Sequence, residues 1–136
     1  MEGLAVVCQI VVGLVVLSVW TIRYNHATAW RGGDAQSMSE EFEIYGLSER
    51  LLRLTRATKI SLAALILAGI WVPQIVVPAA LGMAGLMLIA VAMHIKVGDA
   101  WYKSVPALTM FVLCTIIAYI YGVPDSALQF ASTGLV

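Results

Sequence analysis

Apolar and polar stretches alternate along the chain with spacings that match membrane crossings. Residues 3–22 carry no charge, over a length that matches the roughly 20 helical residues needed to cross about 30 Å of hydrocarbon. Residues 60–93 form a second uncharged run, too long for one span and short for two, and Pro73-Gln74 with Pro78 divide it. Two helices fit only if the first begins earlier. The pattern therefore predicts a helix over about 49–72, spanning from about 55, and another over about 76–95. A last apolar stretch predicts a helix over 104–121, with Pro106 tolerated in its first turn.

The polar segment 23–58 is also patterned. "SMSE" at Ser37 to Glu40 is an S-x-x-E capping box. Met38, Phe42 and Tyr45 follow at spacings of four and three, opposite Glu40, Glu41 and Glu43, which predicts an interfacial amphipathic helix over about 39–45. Gly46 should end it, Ser48 should cap the next helix, and "RGGD" at Arg31 to Asp34 reads as a turn. The fold expected is thus an all-α membrane protein, a four-transmembrane-helix bundle with this short helix in its first cytoplasmic loop, and residues 1–136 form a single domain.

Composition strengthens the membrane reading, since 61% of residues are hydrophobic and only 12% charged, against about 25% in soluble domains. The first run has Glu2 where a signal peptide would have a basic segment, and no small-residue cleavage site follows, so it is expected to remain as a span. Net charge is zero, which gives nucleic acid no electrostatic footing. The eight cations are all in the first connection or its helix edge and in the third connection. The positive-inside rule then places both termini on the non-cytoplasmic side of a bacterial-type cytoplasmic membrane. Trp20, Tyr24, Trp101 and Tyr102 mark the inner boundary, and Trp71, Tyr119 and Tyr121 the outer one.

Three blocks then carry a resemblance: "EEFEIYGLSERLLRL" at 40–54, "KISLAALILAGIWVP" at 59–73 and "MHIKVGDAWYKSVPAL" at 93–108. Their order, the E-F-x-x-Y-G-L motif ahead of Lys59, and the H-x-K-x-x-D signature before a proline resemble the DoxX-like family of small four-helix membrane proteins. The resemblance implies a four-helix bundle. The family takes its name from a subunit of a thiosulfate:quinone oxidoreductase, so the resemblance also implies a link to quinone or thiol redox chemistry. "LTRAT" at 54–58 departs from the apolar or glycine-bearing stretch that precedes the lysine in relatives.

Candidate chemistry gathers where the predicted helices reach the cytoplasmic side. Lys59, His94, Lys96, Asp99 and Lys103 belong to this end, and Arg23, Asn25 and His26 leave the first helix there. Ionisable groups at membrane depth point to a ligand-binding site, whereas the same residues at helix ends also serve lipid phosphates and terminal carbonyls. Asp99 is expected to pair with Lys59 or Lys96, leaving His94 and Lys59 to face a cavity. Haem on His26 and His94 satisfies the minimum of two imidazoles and has no further support; no metal-ligand spacing is present, so no metal is expected. Cys8 and Cys114 lie far apart in apolar runs and read as packing residues and not as a redox pair. The chain contains no G-x-S-x-G motif and no phosphate-binding loop.

Two functions remain. One is an accessory or assembly subunit that docks on a membrane protein partner or on a second copy through small-residue faces such as Ala80, Ala84 and the Gly82/Gly85 pair. The other is a protein that binds or converts a small lipid-phase molecule, a quinone among them, at the cytoplasmic end.

Overall fold

A computed structural model describes residues 2–123 of the chain. Among them are five α-helices and no strand: α1 (Glu2–Trp20), α2 (Met38–Ile44), α3 (Glu49–Ala68), α4 (Val76–Lys96) and α5 (Val105–Gly122). The carboxyl terminus, which the charge rule assigns to the non-cytoplasmic side, lies outside the described residues.

Three stretches are long and apolar enough to cross a membrane: Gly3–Trp20, Pro73–Lys96 and Trp101–Gly122. α3 has the length but not the composition, because Glu49, Arg50, Arg53, Arg56 and Lys59 are spread from its start to its middle. It also ends sooner than the pattern predicts. Past Ala68 the amides of Ile70 and Trp71 bond carbonyls three residues back, and Pro73 then opens a short 3₁₀ turn over Pro73–Ile75.

The long helices pack in a ring. α1 lies against α3 and α5, and α4 against α5 and α3. Each contributes a stripe at helical spacing: Ala5, Cys8, Val12, Val16 and Trp20 from α1, Val76, Ala80, Met83 and Met87 from α4, and Met110, Cys114 and Ile117 from α5. Both cysteines are buried in this core. α1 and α3 approach closely at Gly13, where an added Cβ would fall 2.3 Å from Leu67 Cγ. Outward positions are apolar too, with Leu4, Val7, Leu14, Leu81 and Leu108 about half exposed or more. Such a surface suits hydrocarbon, not water.

The predicted caps form, with one adjustment. Ser37 Oγ accepts the Glu40 amide at 3.2 Å, but the Glu40 carboxylate reaches Gln36 N at 2.7 Å, one residue beyond the usual reciprocal partner. Ser48 Oγ accepts the Leu51 amide at 3.1 Å and starts α3. α2 does not place all its glutamates in water. Glu40 and Glu43 are exposed, whereas Glu41 is buried with Met38, Phe42 and Tyr45.

At one end of the ring a neutral polar link ties three helices. Gln9, fully buried on α1, donates Nε2 to the carbonyl of Ile66 at 2.9 Å, and its Oε1 accepts from Tyr121 Oη of α5 at 2.8 Å. Ile66 lies in the last turn of α3, where carbonyls lose their helical partners, so Gln9 serves as a side-chain cap from a neighbouring helix. At the other end are the two polar connections, and with them the candidate site.

Candidate functional site

The third connection shows why H-x-K-x-x-D has its spacing. α4 ends in a paired closure in which the amide of Gly98 bonds the carbonyl of Ile95 at 3.1 Å and that of Asp99 bonds the carbonyl of His94 at 3.0 Å. This is a Schellman motif, and it needs a residue at positive φ, supplied by Gly98 at +71°. The closure folds Asp99 back over His94, and Asp99 Oδ2 lies 2.7 Å from His94 Nδ1. The carboxylate accepts, so Nδ1 carries the proton, and the Tyr45 hydroxyl lies 3.5 Å from Nε2.

Asp99 also joins the two connections. Its Oδ1 accepts the Gly33 amide at 2.9 Å, and Lys103 donates to the Gly33 carbonyl at 2.8 Å while lying 3.8 Å from Asp99 Oδ1. The "RGGD" turn is thus held by both polar groups of Gly33, itself at φ +54°. Burial alone would raise the Asp99 carboxyl pKa. The His94 and Gly33 hydrogen bonds and the Lys103 charge outweigh it and hold the group below the usual aspartate value.

The first connection is built on Arg31. Its guanidinium donates to the carbonyls of His26 at 2.9 Å, Arg23 at 2.6 Å and Tyr24 at 3.2 Å, and to Glu41 Oε2 at 3.0 Å. Arg31 and Glu41 are both buried. Glu41 Oε1 in turn accepts the Tyr45 hydroxyl at 2.6 Å, and the Tyr45 ring stands edge-on to His94 with centroids 5.8 Å apart. Burial, with the Glu41 carboxylate adding to it, raises the Tyr45 phenol well above the ordinary tyrosine value.

Above these groups, within the ring of long helices, lies a cavity of about 440 Å³. Val15, Val19, Trp20, Met87, Ala90 and Met110 form much of its apolar wall, and Lys59, His94 and Tyr45 bring polar groups to it. Lys59 is 8% exposed, with Nζ 5.0 Å from the Trp20 ring centroid, and it makes no hydrogen bond or ion pair among the described residues.

A sequence profile of the DoxX-like family matches residues 17–118. The chain belongs to the DoxX-like family. The matched stretch takes in the cavity lining except Val15 and Val16, and both connections that close it. No curated protein and no solved structure matches the chain.

Of the residues singled out in the sequence, Lys59, His94, Asp99 and Lys103 meet at this end, and Arg23 lines the cavity as well. Two are placed differently. Lys96 donates to the carbonyl of Tyr45 at 2.9 Å, closing α2. His26 is exposed on the first connection and is not among the cavity residues, so it is not brought to His94. The expected pairing is corrected too: Asp99 takes His94 and Lys103, not Lys59 or Lys96, because the Schellman turn aims it back along α4. Arg31, Glu41 and Tyr45 were not among the candidates. The i, i+4 spacing of Glu41 and Tyr45 was the available signal, since it puts the acid on the same face as the aromatic.

Proposed function

We propose that this chain is a four-span membrane protein with both termini on the non-cytoplasmic side, and that it binds a small lipid-phase molecule at the cytoplasmic end of its bundle. The carrying observation is the cavity of about 440 Å³, within the range of small-molecule sites, with apolar walls and a few convergent polar groups. An Asp-supported imidazole at the cavity wall can form a hydrogen bond with a carbonyl or hydroxyl head. A quinone is one such molecule. α3 serves as the fourth span, with its cations reaching back to the inner interface; Arg56 does so by bonding the Trp20 carbonyl at 3.2 Å and lying over the Tyr24 ring at 4.2 Å.

Alkaline phosphatase fused to the carboxyl terminus is expected to be active, and a fluorescent cytoplasmic fusion there would reverse the topology. Native mass spectrometry of the purified protein tests the site. A small-molecule adduct is expected on the parent and lost in Ala90→Phe, which fills the cavity wall. A parent that carries no adduct and instead retains a stoichiometric protein partner, unaffected by Ala90→Phe, would favour the accessory-subunit reading and sink this one.

A further inference from the structure

We propose that the ligand of this cavity is an amphiphilic anion, an alkyl chain carrying one acidic head, and that Lys59 is the counter-ion that receives the head. The inference rests on the ligand-binding reading above and adds the ligand's charge and orientation. Buried charges are costly unless compensated, and every other buried charged side chain near the cavity has its partner: Arg31 has Glu41, and Asp99 has His94 and Lys103. Lys59 has the face of Trp20 and feels Glu41 only at longer range, with no ion pair or hydrogen bond to it. Arg23, Arg31, Lys59 and Lys103 line the cavity, and no carboxylate does. The two acids of this end with buried side chains, Glu41 and Asp99, do not line the cavity and are already engaged by Arg31, Tyr45, His94 and Gly33.

The alkyl chain has a place as well. α3 and α4 touch at Gly82, where an added Cβ would lie 3.4 Å from Leu62. From there toward the polar end, Thr55 and Leu51 of α3 and Leu86, Ile89 and Met93 of α4 line the cavity. Those spacings of three and four put each set on one seam of its helix, so the cavity runs between two facing seams. Lys59 is on the α3 side of the cavity, one turn from Leu62, with its ammonium over Trp20. A chain along the two seams brings its head within reach of that ammonium.

The test uses Trp20 and Trp30, which both line the cavity, as reporters of a bromine-labelled long-chain carboxylate added to the protein in non-ionic detergent. Saturable quenching is expected, with affinity at least about tenfold higher than for the methyl ester of the same probe or the matching alkylammonium. Lys59→Met should weaken the carboxylate about tenfold and leave the ester unchanged, while Lys59→Arg keeps most of the affinity. Folding does not confound this, because removing an unpaired buried charge should leave the melting temperature equal or higher. Displacement by unlabelled fatty acid alone identifies a free carboxylate as the ligand, and displacement by phosphatidate too identifies a lipid headgroup. Ester and acid binding alike, or an indifferent Lys59→Met, overturns the anion inference and leaves the cavity reading standing. No saturable quenching by any probe overturns both.

Discussion

The two ends of the helix ring each bury polar groups, but they use them differently. At the Pro73 end, Gln9, Tyr121 and the Ile66 carbonyl form a neutral chain in which each group satisfies the next, and the helices around it are tight: an added Cβ at Gly69 would fall 2.3 Å from Val76. At the opposite end the buried groups are charged, they come from loops as well as helices, and they stand beside open volume. A satisfied neutral link holds helices together at modest cost. Charged networks are costly to bury, so a cluster that keeps one ammonium without a direct ion pair beside a cavity is poorly explained as glue. The comparison therefore separates a structural polar contact from a candidate site by what is left unpaired.

Removing one partner at each end breaks the comparison most sharply. Arg31→Met strands the buried Glu41 carboxylate and removes a donor from three backbone carbonyls, and is expected to cost about 3 to 5 kcal/mol, with release of the first connection to protease. Gln9→Leu leaves the Ile66 carbonyl and the Tyr121 hydroxyl without partners and should cost about 1 to 3 kcal/mol, with the connections still protected. Thermal melts in detergent with limited proteolysis measure both. Equal losses, or proteolysis of the first connection in Gln9→Leu, would show that the ends are not separate units.

How much of this was legible in the sequence follows from which contacts are periodic. Helices report their faces through spacings of three and four, so α1, α4 and α5 fell within a few residues of the expected ranges. Lys59 was legible in the same way: with Leu52, Ala63 and Ile66 it falls on the buried stripe of α3, although its charge drew it toward the interface reading. The glycine of the Schellman turn was visible in "HIKVGD", yet the turn's consequence, Asp99 folded onto His94, needed the backbone path. The Arg31–Glu41 pair was the least legible. Its partners lie ten positions apart across a turn and a helix start, and no periodicity links such positions; the "RGGD" motif announced a turn but not which side chain it would bury.

The smallest effect sharpens the polar end alone. Asp99 sits below the ordinary aspartate pKa of about 3.9 in the folded protein, so on acidification the unfolded chain takes up this proton first. Its contribution to stability is complete above that ordinary value and is lost as pH falls through it toward the lowered native one. His94 and Lys103 are the partners facing it, with Tyr45 nearby. Asp99→Asn keeps the shape but removes the titration. It should lower the melting temperature at neutral pH by a few degrees and flatten the fall in stability between about pH 5 and pH 3. Combining it with His94→Ala should cost less than the two single losses together, because both remove the same contact, whereas combining it with Lys59→Met should be additive. An acid profile for Asp99→Asn parallel to that of the parent, or coupling to Lys59 in place of His94, would show that the 2.7 Å pair does not organise this connection.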